Sequence, residues 1–123
     1  MKLLVIGLGG FIGAILRYGV SGWVYKIIGA RMPFGTLAVN ILGSFILGLF
    51  LFLAEGRFNI GPLWRGFIAI GMMGALTTFS TFSYETLALL QGNLWIQAFL
   101  NILSNVLLTL LAVWAGMVVA KLI

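Results

Sequence analysis

The sequence has 123 residues, 63% of them hydrophobic and only 7% charged, with a mean hydropathy of +1.22. A soluble domain of this length has no means of hiding so much apolar surface, so lipid must be the solvent for much of the chain. The formal charge of +5 would suggest nucleic acid in a soluble protein, but here it assigns the few cations to a membrane interface. Cysteine is absent, which excludes thiol chemistry and leaves the redox compartment unread.

Four apolar runs, at about residues 3–25, 33–54, 62–90 and 94–120, each reach the roughly 20 helical residues that a hydrocarbon core requires. The short connectors between them leave no soluble appendage, so residues 1–123 are predicted to form one four-span, all-α membrane domain. Trp23, Trp64 and Trp95 fall near predicted span ends, where indoles favour the headgroup level. The first run follows Lys2 as a secretory leader would. It lacks a small-residue cleavage pattern and holds Arg17, so it reads as a retained span.

Within that first run Gly9, Gly13, Arg17 and Ser21 recur every four residues and share a helix face. Arg17 is the one cation well away from the predicted span ends, where insertion costs at least about 2.5–3.5 kcal/mol. Tyr18, Ser21 and a connector bearing Lys26 and Arg31 follow it, which favours an electropositive vestibule over a purely packing role. In the second run Thr36, Asn40, Ser44 and Gly48 form a similar stripe. Small residues in such stripes are chiefly helix–helix contacts, where each polar pair contributes about 0.6–2 kcal/mol. Asn40 is different, because a mid-span amide has two donors to satisfy and makes an apt contact for a permeating anion.

The third run is the least like a plain membrane helix. Gly71 and Gly74, followed by Thr77 and Thr78, predict a break near mid-membrane, and a run of about 29 residues has length to spare. Backbone carbonyls freed by such a break suit a small cation, and the new helix N-terminus favours an anion. After it, Phe79 and Phe82 share one face among Ser80, Thr81 and Ser83. Ring edges and hydroxyl donors together replace an anion's water without a fixed charge that would trap it. Glu85 follows Thr81 by one turn and is expected at the mouth of this half-helix. The fourth run carries Asn101, Asn105, Thr109, Ala112 and Gly116 along one face.

Lys2, Arg57, Arg65 and Lys121 fall on one side of the predicted topology, with Lys26 and Arg31 on the other. So slight a bias permits insertion in both orientations. Four helices alone leave little room for an enclosed pathway, so a symmetric dimer is expected. An antiparallel dimer would recreate the inverted repeat of larger transporters.

Three segments carry a resemblance: Gly9-Gly-Phe-Ile-Gly-Ala-Ile-Leu-Arg-Tyr18, Gly35-Thr-Leu-Ala-Val-Asn40 and Gly71-Met-Met-Gly-Ala-Leu-Thr-Thr-Phe-Ser-Thr-Phe-Ser83. In these, and in length and span count, the chain resembles the Fluc family of fluoride channels, also called CrcB proteins. The resemblance implies an antiparallel, dual-topology homodimer in the inner cell membrane, with pores that let fluoride leave the cell passively. Carried over by position, Phe79 and Phe82 line the pores and Asn40 is the amide contact beside them. Ser80, Thr81 and Thr109 supply hydroxyls, Arg17 belongs to the vestibule, and Glu85 to the pore end. Gly74 and Thr77 would offer backbone carbonyls to a structural sodium ion shared by the two subunits.

Two other readings compete. A small dual-topology multidrug or cation exporter needs a membrane-embedded carboxylate to exchange protons. The only acids here are Glu55, in a connector, and Glu85, and neither is in the first span. A non-transporting assembly subunit would explain the glycines but not the clustered hydroxyls and phenylalanines. Enzymatic chemistry is excluded by the lack of histidine, cysteine and aspartate and of any nucleophile–base pair.

Overall fold

The structure, a computed structural model, describes residues 1–123. It is entirely helical. Helix α1 spans Lys2–Ile28 and α2 spans Phe34–Gly56. The third span begins with a single α turn, α3 (Pro62–Arg65), widens into a π-helical stretch (Gly66–Met73) and closes with another α turn, α4 (Gly74–Leu76). Helix α5 (Phe79–Gln91) follows, and α6 spans Trp95–Leu122. Four stretches, Lys2–Ile28, Phe34–Gly56, Pro62–Gln91 and Trp95–Leu122, are long and apolar enough to cross a membrane. The chain is a multi-pass membrane protein.

Packing follows the small-residue stripes. Helix α2 lies along α6, and α1 lies along the π-helical stretch. Both crossings are backbone-close. A methyl group on Gly116 would fall on the carbonyl oxygen of Phe45, and one on Gly9 on that of Phe67. Only glycine allows such an approach, which replaces the missing hydrophobic drive between helices in lipid with direct van der Waals contact. Only 23 of the 123 residues are buried. The fully buried cluster is small, built from Val39, Met73 and Leu76, while many of the large apolar side chains face outward as a lipid-facing or partner-facing surface demands.

Arg65 ties the second connector to the bundle. Its guanidinium donates to the carbonyls of Ala54 (2.7 Å) and Ile60 (3.2 Å), satisfying the end of α2, with Glu55 at 4.0 Å. Trp23, Trp64 and Trp95 are all outward-facing, as the sequence predicts for interfacial indoles.

Within the third span the glycines and the backbone irregularity are separate. Gly71 and Gly74 stay in helical turns, and Gly71 serves close packing, because a methyl there would meet the Ile6 carbonyl of α1. The helical ladder stops after Leu76 and resumes at Phe79, with Thr77 (φ −79°, ψ 155°) and Thr78 (φ −150°, ψ 121°) extended between them. The local cause is Asn40. Its Oδ1 accepts the Thr78 N–H at 2.8 Å, a donor that in an unbroken helix would bond the Gly74 carbonyl. The Thr78 hydroxyl then caps α5 by accepting the Thr81 N–H at 3.3 Å.

Candidate ion pathway

Asn40 stands on the buried side of α2, 8% exposed, with its amide closed on three partners. Oδ1 accepts from Thr78 N, and Nδ2 donates to the Thr78 carbonyl (3.2 Å) and to Asn105 Oδ1 (2.9 Å). Both amide protons are therefore committed within the chain. Asn105 in turn donates to the Asn101 carbonyl and Oδ1, and Thr109 donates to the Asn105 carbonyl at 2.5 Å.

A cavity of about 270 Å³ opens beside this cluster, lined by Asn40, Phe79, Phe82, Asn105 and Thr109 together with Thr77, Thr78 and Ser44. The two rings lie 5.4 Å apart at 54°. Phe82 is nearly buried at 9% exposure, whereas Phe79 is 78% exposed at the cavity's open side. The cavity holds no charged side chain. An anion entering it would meet the two phenyl rings, hydroxyl oxygens with rotatable protons, and the positive N-terminal end of α5.

A second cavity, of about 350 Å³, gathers Arg17, Tyr18, Ser21, Thr36, Thr81 and Glu85. Arg17 is half-buried and forms no ion pair, and it shares this space with the carboxylate of Glu85. Glu85 is also half-buried; Oε1 accepts from the Thr36 hydroxyl at 2.7 Å, while buried Oε2 has no partner. Thr78 lines both cavities and so forms part of the wall between them.

The residues singled out from sequence thus divide. Asn40, Phe79, Phe82 and Thr109 meet at the first cavity, and Arg17, Thr81 and Glu85 at the second. Ser80 lines neither; its hydroxyl sits 3.4 Å from that of Thr78. Gly74 is exposed on the outer surface with open space around it, and Thr77 borders the first cavity. The sequence places Thr78 in the predicted break and Ser44 in a polar stripe, without assigning either to the ion path. Thr78 carries the usual N-cap signal, a threonine just ahead of a helical run. Ser44 lies in the second-span stripe and makes no hydrogen bond within the chain, leaving its hydroxyl to the cavity.

The family model described as CrcB-like protein, Camphor Resistance (CrcB), matches residues 4–117. The chain belongs to the CrcB family. It is 48% identical over 123 residues to a protein of Magnetococcus marinus, covering all of both chains. It is 47% identical over 120 residues to one from a Nitratiruptor species, covering 97% of this chain and 91% of the relative. To a Shewanella frigidimarina protein it is 51% identical over 115 residues, covering 94% and 92%. Each of these relatives bears the name fluoride-specific ion channel FluC.

Proposed function

We propose that this chain is a fluoride-selective channel, not an enzyme, that lets the ion leave the cell passively across the inner membrane and so relieves fluoride toxicity. The observation that carries the reading is the uncharged cavity where Phe79 and Phe82 meet hydroxyl groups beside the N-terminus of α5. Fluoride is small and strongly hydrated, so its site must return many short-range donors. The phenyl rings, the hydroxyls of Ser44 and Thr109, and the end of α5 supply these without a fixed cation that would hold the ion back, and Ser80 and Thr81 extend the polar path outside this cavity. Asn40 contributes in two ways. It holds Thr78 in place at the cavity wall, and its amide dipole lies beside the path. Arg17 draws anions into the second cavity, and Glu85 lies at that end of the path. The exporter reading is weaker, because Glu85 lies outside the first span and is already engaged with Thr36. Fluoride release from loaded liposomes, followed with an ion-selective electrode, tests the function.

The working unit is an antiparallel homodimer of chains inserted in both orientations. Exposed Phe79 and the open surface around Gly74 are faces that a second copy would cover. The extended Thr77–Thr78 pair lies near mid-membrane in this arrangement, with residues 62–76 and α5 as the two halves of a broken span. A reporter fused to the C-terminus is expected to give signal on both sides of the membrane. Signal from one side alone would contradict dual topology.

The residues also fit a shared sodium ion. The Gly74 and Thr77 carbonyls receive no backbone hydrogen bond, since the Thr78 N–H goes to Asn40 and the Thr81 N–H to Thr78 Oγ1. Neutral carbonyl oxygens suit a hard monovalent cation, and the protein has no cluster of histidines, cysteines or carboxylates for a transition metal. Two carbonyls from one chain leave a shell incomplete, and two more from a second copy would fill it. A sodium ion bound there supplies positive charge that holds the two copies' carbonyl ends together.

A further inference from the structure

A single line of hydrogen bonds runs through the interior and touches both ends of the turn that carries the phenylalanines. Its direction is fixed by one unambiguous donor. The Thr78 N–H points to Asn40 Oδ1, so the other end of that amide must donate, to the Thr78 carbonyl and to Asn105 Oδ1. Asn105 is then obliged to donate through Nδ2 to the Asn101 carbonyl and Oδ1. Asn101 must therefore present Nδ2 to Thr86 Oγ1, at 2.9 Å, and the Thr86 hydroxyl passes its own proton to the Phe82 carbonyl at 2.7 Å. All four side chains are buried: Asn40 8%, Asn105 6%, Asn101 3% and Thr86 7% exposed. Flipping any one amide would set donor against donor at its neighbour, so the line has one self-consistent polarity.

The line begins at Thr78 and ends at Phe82, which bracket the first turn of α5. Within the chain, α5 packs mainly against α6 and only slightly against α2. Its rotation and height therefore depend on these polar ties to α2 and α6 as well as on apolar packing. Asn101 and Thr86 line neither cavity, so neither is placed to touch a permeating ion.

We infer that Asn101 and Thr86 are positioning residues, which aim the Phe82 ring by anchoring the first turn of α5 to α6 through a one-way hydrogen-bond relay. The inference rests on the reading that Phe82 lines the ion path. Thr86→Val keeps the shape of the side chain but removes the hydroxyl, leaving the Asn101 amide with an unmet donor. Thr86→Ser keeps the hydroxyl. Asn101→Leu removes the relay's midpoint.

The test measures fluoride and chloride efflux from liposomes for these variants beside Phe82→Ile, with dimer content and thermal stability recorded for each. Thr86→Val is expected to lower the fluoride-to-chloride flux ratio by roughly tenfold, the scale of one buried group left unsatisfied. Thr86→Ser should restore the ratio to within about threefold of the parent, and adding Asn101→Leu to Thr86→Val should lower it little further, because both cut one line. A merely structural role would lower the yield of folded dimer and leave the ratio per active vesicle unchanged. Thr86→Val with an unchanged ratio, alongside Phe82→Ile that fails to conduct, overturns the relay while sparing the pore reading. Normal conduction by Phe82→Ile overturns both.

Discussion

Phe82→Ile is expected to abolish fluoride flux or slow it severely while the protein still assembles. Phe82 is almost buried and packs against Phe79 at the cavity wall. Isoleucine is apolar and smaller by a modest volume, so the cost to folding is on the order of 1.5 kcal/mol or less. What disappears is the positive ring edge, the feature that lets an aromatic side chain face an anion. Phe79→Ile separates the two contributions more cleanly still. That residue is 78% exposed in the single chain, and substitutions at such sites usually change stability by about 0.5 kcal/mol or less. Efflux from liposomes, with dimer content checked by size-exclusion chromatography, measures both. If the two variants conduct like the parent, ring-edge coordination is wrong.

Reconstitution in sodium-free medium is expected to remove most of the transport activity and to return it when sodium is added. Asn40 and the Thr78 hydroxyl divert the two N–H groups that would otherwise bond the Gly74 and Thr77 carbonyls. Each orphaned carbonyl in a water-poor setting costs about 1–3 kcal/mol unless a partner is found. In the proposed dimer a cation between the two copies would recover that cost at all four carbonyls, so its removal should loosen the assembly at its centre. Potassium or lithium in place of sodium should restore less, since a carbonyl cage is set for one ionic radius. Efflux that is the same with and without sodium would exclude the cation from the account.

The four spans were legible in the sequence because lipid imposes a length and an apolarity that few other environments require. The polar stripes were legible too, since i, i+4 spacing fixes a helix face whatever that face meets. Spacing alone therefore puts Asn40, Asn105 and Thr109 on inward surfaces. The glycines were harder to read. Gly71 looked like a helix breaker, yet it is a contact residue against α1, because glycine serves bending and close approach equally well. The extended Thr77–Thr78 pair is tied to a residue 38 positions away in sequence, Asn40, which accepts the Thr78 N–H, and no local pattern encodes such a partner. For the same reason the relay from Asn40 to Phe82 was out of reach. Spacing gives the face, but the choice of acceptor for each amide is made by α2, α5 and α6 together.

The identity of the transported ion is tested most directly by side-by-side efflux of fluoride and chloride from identical liposomes, under a potassium ionophore that prevents charge build-up. The account predicts rapid fluoride release that depends on the ionophore, with chloride retained. Equal release of the two ions, or no fluoride release from well-folded dimer, would contradict it.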